Sequence, residues 1–156
     1  MIKPFQKYFN EIKNKYQLGD YTEGTFRTPF ENFIKSFSPS IRLIQEPKRA
    51  RELGAPDFKA FYRNRKVGYI ETKNIDENLD KVLESEQLKK YMESIDNIIL
   101  TDYKRFILIR NGNKIFDFNL FSISDFDKPK FEISEEKIAV FKQFLNEFFS
   151  YKLPTI

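Results

Sequence analysis

The chain contains no cysteine and no histidine. The first absence excludes disulfides, thiolate zinc sites and cysteine nucleophiles. The second removes Ser-His-Asp triads, HExxH zinc sites and imidazole general bases. Any acid–base or metal chemistry must therefore use carboxylates, Lys, Tyr or water. No apolar run approaches the roughly 18 residues that read as a membrane span. Met1-Ile2-Lys3-Pro4-Phe5-Gln6 also lacks the apolar stretch of a secretory signal. A cytoplasmic protein with no membrane partner is the expectation.

What is present is aromatic and charged. The 156 residues fit one domain, 1–156, and 18 Phe and 8 Tyr supply its core. Charged residues make up 32% of the chain, and the net charge of +4 permits a nucleic-acid partner without requiring one.

Phe5, Tyr8, Phe9, Ile12 and Tyr16 recur at helical spacing, so residues 3–18 read as an amphipathic helix ending near Gly19. Thr28-Pro29-Phe30-Glu31 predicts a second helix, with Thr28 as N-cap, Pro29 in the first helical position and Glu31 closing a capping box. Ile41–Gln45 reads as a strand and Glu46–Ala55 as a basic loop. Asp57–Arg63 and Lys66–Lys73 form a hairpin about Asn64. Leu79–Ile95 reads as one long helix. Strands follow at Ile98–Leu100, Arg105–Arg110 and Lys114–Phe121, the last two joined by the turn signal Asn111-Gly112. Ser134 caps a final helix. The order ααβββαβββα predicts an α/β fold, a central mixed sheet flanked by helices.

An acid two residues before a lysine occurs at Glu11, Glu46, Asp57, Glu71, Asp102 and Glu135. Position separates them. Only Glu71 both ends an apolar strand and faces a second acid across a hairpin. Strand alternation puts Glu71 and Lys73 on one face, and a turn at Asn64 sets Asp57 roughly opposite Glu71. Two such charges about 4 Å apart repel by about 4 kcal/mol at an effective dielectric of 20, so compensation is required. Lys73 supplies part of it, and a hard cation such as Mg²⁺ would supply more. The bland alternative is a set of solvated strand-end charges, with Lys73 merely pairing Glu71.

Pro56-Asp57 followed by Glu71-Thr72-Lys73 resembles the PD-(D/E)xK nuclease superfamily. Gln87-Leu88-Lys89-Lys90-Tyr91 is similar to the QxxxY motif of its RecB-like branch. The run from Tyr21 to Asp76 looks most like the N-terminal nuclease domain of type IIG and type ISP restriction-modification enzymes. The resemblance implies a restriction-endonuclease-like fold and a Mg²⁺-dependent DNA endonuclease, with Mn²⁺ able to substitute. It implies that Asp57 and Glu71 hold the metal, that Lys73 serves the water and phosphate, and that Gln87 and Tyr91 support the site or the DNA. Some members carry a further Glu on the preceding helix. Glu31 is the candidate, alongside its capping role.

Lys48, Arg49 and Arg51 lead into Pro56-Asp57, and Lys89 and Lys90 lie on the Gln87 helix. These are the expected DNA phosphate contacts. Methyltransferase, motor or target-recognition domains are the expected partners, in cis or in trans. Neither a Walker-type G-x-x-x-x-G-K-[ST] nor an Asn-Pro-Pro-Tyr occurs in this chain. It reads either as a domain of a longer protein or as a stand-alone nuclease, and dimerisation would serve double-strand cleavage. The rival reading is a non-catalytic DNA-binding or assembly module on the same fold.

Overall fold

The computed structural model describes residues 2–153. Helix α1 (Ile2–Leu18) buries Phe5, Tyr8, Phe9 and Ile12, the stripe that its 3.6-residue period predicts. A 3-10 turn (Glu23–Phe26) then runs directly into α2 (Arg27–Lys35). This corrects the expected helix start. Phe26 is the N-cap, Thr28 lies inside the helix and makes no box with Glu31. Thr22 starts the segment instead, its N–H donating to Oγ1 of Thr25 at 2.8 Å.

Six strands follow in sequence order across one sheet: β1 (Ile41–Gln45), β2 (Phe58–Tyr62), β3 (Arg65–Thr72), β4 (Asn97–Thr101), β5 (Arg105–Arg110) and β6 (Asn113–Asn119). All neighbours are antiparallel except β3 and β4. Parallel neighbours need a crossover, which α4 (Leu79–Leu83) and α5 (Glu86–Ser94) provide. The two hairpin turns match their sequences. Arg63-Asn64 and Asn111-Gly112 all have positive φ, as a two-residue turn between right-twisted strands requires.

Two expectations change here. The loop before Asp57 contains a short helix, α3 (Lys48–Glu52), entered from Pro47. The expected long helix is broken at Ser85. Its hydroxyl donates to the Val82 carbonyl and accepts from the Leu88 N–H, closing α4 and opening α5. The break lets Leu79 and Val82 in one half, and Leu88 and Tyr91 in the other, reach the same sheet face.

Alternation along β4 and β5 divides the core between two faces. Ile99, Phe106 and Leu108 join the aromatic cluster of α1, α2 and the last helix, α6 (Glu135–Phe149). Ile98, Leu100, Ile107 and Ile109 pack under α4 and α5. Phe rings meet at close range in the larger layer: Tyr8 stacks on Phe33 at 4.2 Å, and Phe33 lies 5.0 Å from Phe141. Burying each such ring contributes about 1.5–3 kcal/mol. The result is the α/β restriction-endonuclease-like arrangement, helices on both faces of a mixed sheet. Among the described residues no helix is long and apolar enough to cross a membrane.

The approach of β3 to β4 depends on Gly68. A Cβ there would meet the Asn97 carbonyl oxygen at 2.2 Å. Asn97 is buried and its amide donates to the Val67 and Phe148 carbonyls at 3.0 and 2.9 Å. This fixes the register in which β3 delivers its C-terminal residues to the site.

Candidate active site

The β2–β3 register pairs Phe58 with Ile70, so Asp57 falls beside Glu71 at the end of the hairpin. The Asp57 N–H donates to Glu71 Oε1 at 3.2 Å. Both side chains are buried, each residue 4% exposed. Asp57 Oδ2 accepts two bonds from Thr72, from the backbone N–H at 2.8 Å and from the hydroxyl at 2.9 Å. Its Oδ1 faces a cleft of about 260 Å³.

Lys73 lies just past β3, and its ammonium is 3.3 Å from Glu71 Oε2. It also donates to Gln87 Oε1 at 3.4 Å. Gln87 Nε2 donates to the Tyr91 hydroxyl at 3.2 Å, and that hydroxyl donates to the Gly54 carbonyl at 2.6 Å. The two α5 residues thus tie the lysine to the loop that enters Asp57. Their spacing of four residues, one helical turn, makes the relay possible.

Burial pushes the Glu71 carboxyl up to about 8, the Asp57 charge adding to the effect and Lys73 opposing it. A carboxyl desolvated beside a like charge resists ionising. Burial, together with the Glu71 and Asp57 charges, also raises the Tyr91 phenol well above its ordinary range. It therefore stays a protonated donor to Gly54.

Glu23 and Arg27 line the cleft and escaped the sequence reading. Arg27 places a guanidinium nitrogen 3.4 Å from Asp57 Oδ1 and 3.6 Å from Glu23 Oε1. Both lie in the 3-10 and α2 segment, and their i, i+4 spacing was the signal available in the sequence. Glu31, the expected acid from this region, does not line the cleft. It pairs with Lys35 at 3.5 Å. The preceding turn, carrying Glu23 and Arg27, is the one that faces Asp57.

The basic residues divide. Lys48 and Arg51 line the cleft, with Arg51 3.7 Å from Asp57 Oδ1. Arg49, Lys89 and Lys90 are exposed and lie outside its lining. Among the described residues no group of three or more acidic side chains converges on a point where one cation would sit. Asp57 and Glu71 form a pair. Mg²⁺ commonly binds through one or two carboxylates and keeps several waters, so the donor set suits that ion. Asp57 Oδ1, free of Thr72, and Glu71 Oε2, beside Lys73, are the oxygens available to it.

No protein-family model matches the chain, and no curated protein matches it. Among solved structures it is similar to a DrdV–DNA complex determined by cryo-electron microscopy, with a TM-score of 0.69 at 20% identity. The match covers 99% of this chain and 14% of that one. At that identity the likeness is one of fold, and it places nearly the whole chain on an architecture found within a protein solved on DNA.

Proposed function

We propose that this chain is the cleavage domain of a divalent-metal-dependent DNA endonuclease that hydrolyses phosphodiester bonds, working in the cytoplasm as part of a restriction-modification enzyme. The observation that carries the reading is the buried Asp57–Glu71 pair with Lys73 beside it, at the open end of β3. Burying two adjacent carboxylates serves stability poorly, because desolvation and mutual repulsion both work against the fold. A cation-binding role explains their retention. The fold shared with DrdV, whose structure was determined on DNA, supports the polyanionic substrate.

Asp57 and Glu71 would hold Mg²⁺, or Mn²⁺ in its place. When bound, the ion would polarise a phosphoryl oxygen and make a bound water more acidic. The side chains do the rest. Thr72 fixes the Asp57 carboxylate through two hydrogen bonds, leaving one oxygen directed at the cleft. Lys73, held by Gln87, directs an ammonium donor at the attacking water and the phosphate. Tyr91 anchors the loop at Gly54, setting the height of Asp57 relative to Glu71. Lys48 and Arg51 at the cleft, with Arg49, Lys89 and Lys90 around it, draw in the backbone phosphates. Methyltransferase, motor or target-recognition segments, in cis or in trans, would supply sequence choice. Two copies would serve a double-strand cut.

Incubation with DNA and Mg²⁺, repeated with Asp57→Ala and Lys73→Ala, tests the reading. Loss of cleavage in both is expected, and cleavage surviving both substitutions would refute it. A direct measurement of Mn²⁺ binding, lost in Glu71→Ala, separates a metal site from the non-catalytic DNA-binding module.

A further inference from the structure

The open oxygen of Asp57 does not face an empty cleft. Two guanidinium groups from different elements point at it: Arg27 of α2 at 3.4 Å and Arg51 of α3 at 3.7 Å. Charge-assisted hydrogen bonds to a carboxylate settle at about 2.7–2.9 Å. Both contacts are therefore electrostatic rather than tight, and both arginines have other holds. Arg27 also reaches Glu23, and Arg51 Nε donates to the Glu46 carbonyl at 3.3 Å. Arg27 Nε is buried with no hydrogen-bond partner, so its guanidinium is left incompletely satisfied. Gly24 gives that guanidinium room, since a Cβ would lie 3.1 Å from its Nη1.

Asp57 Oδ1 is also the oxygen a divalent ion would use, because Oδ2 is occupied by Thr72. Ion and arginines compete for one atom. Once displaced, two planar five-donor groups at the cleft wall match a phosphodiester, which guanidinium binds through paired hydrogen bonds.

Building on the endonuclease reading, we propose that Arg27 and Arg51 are an exchangeable counter-cation pair. They neutralise Asp57 in the ion-free protein and move to the substrate phosphate when an ion takes Oδ1. The ion and DNA then favour each other's binding through these two residues, and linkage makes the effect reciprocal.

The test uses Arg27→Met and Arg51→Met, with Lys48→Met as a control. Lys48 lines the same cleft but pairs with Glu52 at 4.0 Å rather than with Asp57. Mn²⁺ affinity is measured without DNA. Affinity for a short duplex is measured in EDTA and in Ca²⁺. Each arginine variant is expected to bind Mn²⁺ about five-fold tighter or more, a coupling of ordinary allosteric size. Ca²⁺ is expected to tighten duplex binding in the wild type and to do so much less in both arginine variants. Lys48→Met should weaken duplex binding equally with and without Ca²⁺. Unchanged or weaker Mn²⁺ binding, or an unchanged Ca²⁺ effect, would overturn the proposal while leaving the nuclease reading intact. Mn²⁺ binding that is indifferent to Asp57→Ala would sink that reading and the exchange with it. Arg51 sits on the short surface helix α3, so its variant keeps the test decisive should Arg27→Met fail to fold.

Discussion

Replacing Glu71 with Gln should stabilise the metal-free protein at alkaline pH and not at acid pH. The glutamate is buried beside Asp57, and its carboxyl is raised from an ordinary 4.5 to about 8. Between those two values the folded state holds a proton that the unfolded chain has released. Stability then falls as pH rises, by about 1.4 kcal/mol for each pH unit. The contribution is complete below pH 4.5 and is spent above about 8. Gln keeps the shape and cannot titrate, so the difference between variant and wild type reports the titration of Glu71 together with its coupling to Asp57. From about pH 5 to pH 9 the variant should gain on the order of 4 kcal/mol relative to wild type. The assay is urea unfolding in a chelator across that range, with the two proteins compared at each pH. A difference that stays flat, or slopes the other way, would refute the burial of Glu71 against Asp57. Adding Mg²⁺ at pH 8 should restore stability to the wild type and little to the variant, because an ion that binds only the folded state stabilises it by mass action.

Other substitutions probe how the site is held. Gly68→Ala forces a Cβ to within 2.2 Å of the Asn97 carbonyl and should cost about 3 kcal/mol or more, read as a lowered urea midpoint. Tyr91→Phe removes the 2.6 Å bond to Gly54 and should cost only about 1 kcal/mol of stability while lowering the cleavage rate; a rate equal to wild type would show that this tether does not position Asp57. Thr72→Val deletes the 2.9 Å hydroxyl bond to Asp57 and should weaken Mn²⁺ binding with the fold intact, measured by metal titration and circular dichroism.

The hairpin was legible because its rules are local, a strand alternating every residue and a two-residue turn at Arg63-Asn64 closing the pair. That turn alone would set Asp57 opposite Ile70; a β-bulge between Ala60 and Phe61 shifts the register by one residue and brings Asp57 beside Glu71. The Gln87–Tyr91 pair was legible for a similar reason, since one helical turn separates them. The missed residues depend on contacts between elements. Glu31 and Glu23 lie two turns apart in one continuous helical segment, and nothing in their neighbours says which turn faces the sheet end. Packing of Phe26 and Phe30 beneath that segment against Tyr103 decides it. Ser85 likewise looked like an ordinary helix position until the halves on either side had to reach one sheet face.

By itself, then, the sequence determined the strands, the turns and the placing of Glu71 with its lysine at a strand end, because each follows from spacing along one or two adjacent elements, while the bulge that sets Asp57 against Glu71 belongs to the sheet pairing. Only the tertiary structure decided that Arg27 and Arg51, 30 and 6 residues before Asp57 and on separate helices, converge on its open oxygen. That convergence arises because the sheet buries both carboxylates, and a buried charge draws its compensation from whichever elements the fold brings within a few ångströms.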